Sequence, residues 1–378
     1  YQPAMSQQQD LYAAYNVYLR ARKRIREQDN PDFMASEPTF QQIGKALIAS
    51  DEALIYLVAS SSITSTGGMA LIVTLDAGGN PQATPAPLPR LHELALFDLF
   101  EVTDGATPVV RIDEALTTLG EMGLNELTAL LLRKCITKAR LIPYGWLGLF
   151  PLPAVLVTDL NGQRRHLSEL FAEVTIAPSA RSLEIAWQGV RSQDHQRHAL
   201  LIAGDPEPHP PEEDLPFALA EAGAIRRIAR KHGHPEAHIC YLPPRDITRE
   251  RLMEELPRAR YAHLALHAEY CAGDPRRSRL ILADTGGSAR QARHIYLGEM
   301  LDGIVNMRGV RLLALSACET SVIDMQRVPN EALGIAAGFL QAGAAAVMAS
   351  LWPVDDAATF LLMTRFARFY LDTQGLWS

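Results

Sequence analysis

The chain predicts an α/β fold, a mostly parallel sheet flanked by helices and preceded by a smaller supporting α/β subdomain. Three observations predict it. The 378 residues are 48% hydrophobic and 21% charged, the balance of a folded chain with a sizeable core. Beyond residue 197 apolar, β-prone runs alternate with amphipathic helical runs, as they do where crossover helices join parallel strands. His267 and Cys318 each close an apolar run, which puts them at the carboxyl ends of strands, where open α/β sheets bind ligands.

Residues 7–26 place Leu11, Tyr15, Tyr18 and Leu19 at helical spacing, with Arg20, Arg22, Lys23, Arg24 and Arg26 crowded at the far end. An amphipathic helix is expected, whose cations either complement the helix dipole in solvent or dock a partner. Residues 53–59 and 69–75 are apolar and β-prone, and the turn residues Ala77-Gly78-Gly79-Asn80-Pro81 that follow predict a hairpin or sheet edge. Residues 112–140 read as helical, and 188–197 as a polar boundary. The chain thus divides into a helical segment or linker at 1–44, the supporting α/β subdomain at 45–190 and the main subdomain at 191–378. Within the last, strands are expected at 199–206, 261–267, 279–284, 310–316 and 345–352. Helices are expected at 218–231, 248–255, 297–301, 331–341 and 356–370, and the Pro-rich acidic stretch 208–214 reads as a loop. No repeat with a period of about 20 to 50 residues is present.

The formal charge of −7 argues against a nucleic-acid surface, which needs a concentrated basic patch. Four scattered cysteines, Cys135, Cys240, Cys271 and Cys318, suit neither a zinc site nor a disulfide scaffold, so a reducing cytoplasm fits best. Tyr1-Gln2-Pro3-Ala4 lacks both an initiator Met and a signal-peptide pattern, which suggests a piece of a longer chain. Residues 332–352 are long and apolar enough to raise a membrane span, but Gly334, Gly338, Gly343 and Gln341 interrupt them. A buried helix, a turn and a strand account for the stretch, and no membrane partner is expected.

His263 and His267 share one predicted strand, and their even spacing sends both side chains to one face. His263, in the middle of the apolar run, reads as a satisfied core residue. His267, followed by Ala268-Glu269, stands at the mouth. Cys318 ends the run Val310-Arg311-Leu312-Leu313-Ala314-Leu315-Ser316-Ala317. Buried cysteine as a small hydrophobe is the ordinary reading. A thiol and an imidazole at the carboxyl ends of two strands can instead attack a carbonyl and protonate the leaving amine, with the backbone N–H groups of Cys318 and Ala268 holding the oxyanion. That chemistry is peptide-bond cleavage.

The order His then Cys, 51 positions apart (318 − 267), and the tripeptide Ser316-Ala317-Cys318 resemble the caspase arrangement. Seven motifs, two of them containing these residues, resemble CHAT domains. They are Ile142-Pro143-Tyr144-Gly145 with Leu152-Pro153, Ala177-Pro178-Ser179-Ala180, Gly204-Asp205-Pro206, the strand from His263 to His267, the run from Leu315 to Thr320, Glu331-Ala332-Leu333-Gly334, and Ser350-Leu351-Trp352-Pro353-Val354-Asp355-Asp356. The resemblance covers about residues 45 to 378.

It implies a caspase-like fold, a latent cysteine endopeptidase acting through Cys318 and His267, and a protein substrate. It also implies an activating partner or upstream tetratricopeptide-repeat sensor, in bacterial defence or programmed cell death, often beside a CRISPR effector. Separase is a distant relative whose acidic specificity residue lies in a tryptophan-containing segment resembling 352–356. Asp356, with Asp355 beside it, becomes a candidate floor for the S1 pocket, favouring Lys or Arg before the cut bond. Because both follow a proline and open a helix, either also serves as an N-terminal cap. The chain departs from the family in having Ala268 where Gly is usual, and in stopping before the last expected helix.

Two rivals remain at this stage, a catalytically silent scaffold and another thiol enzyme such as an acyltransferase. No cofactor or metal is expected, since Gly78-Gly79 and Gly286-Gly287 lack the spacing of a phosphate cradle.

Overall fold

The computed structural model describes residues 39–61, 67–101, 109–191, 198–206, 216–269, 271, 274–283, 293–316, 334–351 and 354–372. The expected helix at 7–26, the loop at 208–214, Gly286-Gly287, Trp352 and Cys318 lie outside them.

Strands β1 (Glu52–Val58), β2 (Gly68–Leu75), β3 (Pro81–Leu88), β4 (Lys138–Pro143) and β5 (Glu173–Ile176) form one sheet in the order β3-β2-β1-β4-β5. The first three are antiparallel, and β4 and β5 join them in parallel. The expected hairpin is present. Asp76 takes the Gly78 and Asn80 N–H groups on its carboxylate at 2.8 and 2.9 Å, and Gly79 supplies the left-handed φ of +78° that the turn requires. The second arm of that hairpin, β3, was given no bounds from the sequence, because Pro81, Pro85 and Pro87 argue against a strand. It is tolerated as an edge strand, since prolines at even spacing all lack the N–H on one side, the side without a partner.

The helical expectation for 112–140 needs correction. Helix α1 (Ile112–Leu119) and α2 (Asn125–Arg133) are joined through a kink at Gly123, φ +135°, and residues 138–140 already belong to β4. Helix α2 ends when Cys135 turns left-handed at φ +58°. Its N–H bonds Leu132 O and that of Ile136 bonds Leu131 O, which closes the helix as a C-terminal glycine usually does. Helix α3 (Ala180–Arg191) also runs into the stretch read as a boundary. The core of this sheet gathers Ile55, Leu57, Ile72, Leu119, Leu131, Leu141 and Phe150.

The second sheet is built from β6 (His198–Gly204), β7 (Ile239–Leu242), β8 (Ala259–Ala265), then β12 (Leu312–Ser316) and β13 (Val347–Ala349), in the order β7-β6-β8-β12-β13. Every pairing is parallel. Helices α4 (Pro216–Lys231) and α8 (Asp356–Asp372) cover one face, where Ile202, Tyr261 and Ala314 meet Ala222, Ile225 and Ala367. Helices α5 (Arg249–Glu255), α6 (Leu297–Leu301) and α7 (Ile335–Gln341) cover the other, where Ala262, Leu264 and Leu313 meet Leu252, Leu297 and Phe339. Burial on both faces is why these strands read as unbroken apolar runs rather than as alternation.

The strand expected at 279–284 is present only as β10 (Arg279–Ile281), and in a different sheet. It pairs antiparallel with β9 (Ala268–Glu269) and β11 (His294–Tyr296). Short β7 went unforeseen, its four residues being too few to register as a pattern.

Candidate active site

In spatial order the second sheet runs second, first, third, fourth, fifth strand of its own chain sequence. The direction of winding therefore reverses between β6 and β8. At such a switch point the chain leaves the two strands in opposite directions and opens a crevice at their carboxyl ends.

Strand β8 carries His263 inward and delivers His267 to that end. The structure corrects one expectation here. The strand ends at Ala265, so the pleat that places His263 does not set the direction of His267. His263 is fully buried, its Nε2 2.7 Å from Glu221 Oε1 on α4, with the Tyr261 hydroxyl 3.4 Å from Nδ1. It is the satisfied core histidine the sequence suggested. His267 is half-buried, and its backbone is held on both sides. Just before it the Leu266 N–H donates to Ser316 O at 3.2 Å, and its own carbonyl accepts the Ile281 N–H at 2.9 Å. The chain then enters β9, with Ala268 opposite Leu280.

Strand β12 is the hydrogen-bonded neighbour of β8, in a register that pairs Tyr261 with Leu312 and Ala265 with Ser316. Each pair is separated in sequence by the same number of positions as His267 and Cys318. Cys318 itself lies outside the described residues, two positions beyond the last residue of β12.

The other three thiols lie among the described residues. Cys240 is half-buried on β7, where burial, followed by nearby Glu255, pushes its thiol up to about 11, a setting that disfavours the thiolate. Cys135 is exposed at the end of α2, and Cys271 donates its backbone N–H to Ser278 Oγ at 3.0 Å.

Asp355 and Asp356 open α8. Asp355 caps the helix, its Oδ1 accepting the Ala358 N–H at 2.8 Å and its carbonyl the Thr359 N–H at 2.9 Å. Asp356 reaches across to α4, where its Oδ2 accepts the Phe217 N–H at 3.0 Å. One carboxylate thus serves an N-terminus on each of two neighbouring helices, where a negative charge is favoured.

Asp205, noted in the sequence only as part of Gly204-Asp205-Pro206, is the first residue past β6 at the switch point. It is buried and left-handed at φ +58°, and its N–H donates to Ala265 O at 2.9 Å. The motif was legible; the backbone conformation was not.

Among the described residues no group of three His, Cys, Asp or Glu side chains could hold a metal ion, and no helix is long and apolar enough to cross a membrane. A family model, the CHAT domain, matches residues 113–376, well over half of the chain. The chain belongs to the CHAT domain family. The parallel, helix-covered sheet is consistent with the caspase-like fold that the resemblance implied, and the family places the chain among caspase-like proteases. No curated protein matches the CHAT chain in sequence.

Proposed function

We propose that this CHAT domain is a cysteine endopeptidase in which Cys318 is the nucleophile and His267 its acid–base partner. The observation that supports the reading most is the pairing of β8 with β12. Two adjacent parallel strands in a register of constant offset end two residues short of His267 and two short of Cys318.

The chemistry follows from those two groups. The Cys318 thiolate attacks the scissile carbonyl carbon, and the C=O π pair moves onto oxygen, where the N–H groups of Cys318 and Ala268 stabilise it. As the tetrahedral intermediate collapses, the C–N bond breaks and the His267 imidazolium gives its proton to the departing amine. The thioester left on Cys318 is then hydrolysed. His267 takes a proton from water, the resulting hydroxide adds to the carbonyl, and the thiolate leaves.

The substrate is a specific protein, and the enzyme is held latent until a partner or an upstream repeat region engages it, in a cytoplasmic defence or cell-death setting. The family resemblance supports that context, as it supports a helical segment at 1–44, a supporting subdomain at 45–190 and a catalytic one at 191–378. For the S1 pocket, Asp356 is the acidic candidate with Asp355 beside it, although the tie to Phe217 and the cap on α8 already engage both.

Cleavage of a fluorogenic peptide library, by the chain and by Cys318→Ala, alone and with the products of neighbouring genes, tests the reading. Turnover present in the first and reduced by about 10³-fold or more in the second is expected. Basic preference lost in Asp356→Ala assigns the pocket. Absence of turnover in every condition, with no labelling of Cys318 by a thiol-directed active-site probe, would leave the CHAT fold as a binding scaffold.

A further inference from the structure

We propose that the outer face of α8 is a docking surface for a protein partner that presents an acid-rich amphipathic helix. The surface serves binding alone, whether or not Cys318 and His267 cleave peptides.

A helix packed on one side ordinarily turns polar residues to the other. Helix α8 does not. Met363, Ala367 and Leu371 form its buried face. Opposite them Leu361 is 65% exposed, Leu362 64% and Phe369 59%, the three highest values for large apolar side chains among the described residues. With Arg365 between them, these side chains fall within about 100° of arc at 3.6 residues per turn. Exposed apolar residues scattered singly are ordinary, whereas a set gathered on one face marks an interaction site.

Charge on this face selects the partner. Arg365 lies over the Phe369 ring, its Cζ 5.1 Å from the centroid, and Arg368 is exposed nearby. Neither meets a carboxylate among the described residues. Stacking holds the Arg365 guanidinium flat and leaves its fork of N–H donors for an incoming carboxylate. Acids are sparse in the surrounding layer. Helix α8 has them only at its two ends, Asp356 and Asp372, and Asp356 is tied to the Phe217 N–H. Helix α4, alongside it through Phe217 and Phe360, has the single acid Glu221, which is buried on His263. Against that acid α4 sets Arg227 and Lys231, together with Arg226 and Arg230, which pair with Glu236. This layer is therefore locally basic in a chain whose net charge is −7.

Two other occupants suit the face less well. A second copy centred on the stripe would bring Arg365 and Arg368 of both chains to one two-fold axis, where like charges repel. An anionic membrane would attract the arginines but oppose the net charge of the whole chain. A helix with apolar residues at i, i+3, i+4 and i+7 and carboxylates on its flanks satisfies both features, covering Leu361, Leu362 and Phe369 and pairing the two arginines.

The test compares the original full chain with Leu361→Gln/Leu362→Gln/Phe369→Gln and with Arg365→Glu/Arg368→Glu. Glutamine keeps helix propensity, and all of these side chains are exposed, so the melting temperatures should stay close to the original. A display library of amphipathic helices as long as α8, randomised on the flanks of an apolar stripe, is panned on each protein. Peptides enriched on the original chain are expected to carry an excess of Asp and Glu, and to bind the glutamine variant about tenfold or more weakly. The charge-reversed chain should enrich Lys and Arg instead. Absence of enrichment, flanks with no acidic excess, or affinity unchanged by the glutamines would overturn the proposal. Two further results would also overturn it. Pelleting of the original chain but not the glutamine variant with phosphatidylglycerol vesicles would give the face to a membrane, and a dimer in sedimentation that the glutamines abolish would give it to a second copy.

Discussion

Two histidines four positions apart on one apolar run stand in different surroundings, one fully buried and one half-buried at the strand's mouth. His263 is buried within hydrogen-bond reach of Glu221, which ties β8 to α4. Removing one partner of such a pair strands the other in the core, so His263→Leu should cost about 3 kcal/mol of stability. The double variant His263→Leu/Glu221→Leu should recover most of that loss, because the exposed cost is the unpaired carboxylate rather than the missing bond. Urea unfolding of the three proteins checks this, and a His263→Leu chain as stable as the original would show that Glu221 finds another partner. The core assignment of His263 was legible from its apolar neighbours. The direction of His267 was not, because nothing local in the sequence marks the strand end at Ala265 rather than at His267.

The first sheet is held together where β1 and β4 begin by a buried charge cluster. Glu52 is 1% exposed and accepts the Ile48 N–H at 2.9 Å, with Arg140 Nη2 at 3.1 Å and Lys138 Nζ at 3.2 Å on its other oxygen. Burial pulls its carboxyl up, but the Ile48 N–H and the two cations outweigh burial and hold it below its ordinary 4.5. A carboxyl held low in the folded state contributes stability that is fully present above its unfolded value, and loses it as pH falls through the folded one. The chain should therefore lose stability on acidification below pH 4.5, and Glu52→Gln, with no proton to bind there, should show a shallower acid limb. Chemical unfolding at a series of pH values between about 3 and 7 measures the difference; parallel curves for the two proteins would show the cluster to be silent. The same region shows where element boundaries escape the sequence. Helix α2 stops at Arg133 with Cys135 taking the left-handed position that glycine ordinarily advertises. Without that signal the helical pattern reads on through residues that are in fact β4.

For the molecule as a whole, each sheet must also end somewhere. The antiparallel edge of the first sheet is β3, whose prolines face the side without a partner and leave gaps in the row of N–H groups that another chain could recognise. Replacing Pro85 and Pro87 together by threonine restores two donors and raises the strand's β propensity. The variant should remain folded and show concentration-dependent self-association by sedimentation, whereas the original should not to the same degree. Equal sedimentation of both at every concentration would show that the prolines have no such protective part.

How the second sheet is assembled was legible in outline. Its strands read as apolar runs and its helices as amphipathic ones, because hydrophobic periodicity is local and the chain must bury each stripe against a neighbour. His267 and Cys318 stand out in the sequence as polar chemistry at the ends of apolar runs, and their catalytic pairing is the proposal made above. Strand order is not local information. That β8 lies between β6 and β12, with the winding reversing at β6, follows from which faces pack together across more than a hundred residues. The sequence alone therefore determined the fold class and the family, and it nominated the two residues proposed for thiol chemistry. Only the tertiary structure decided that Asp205 stands buried and left-handed at the switch point, and that Asp356 ties two helix ends. Each depends on contacts between segments far apart in the chain, and no spacing of residues encodes those contacts.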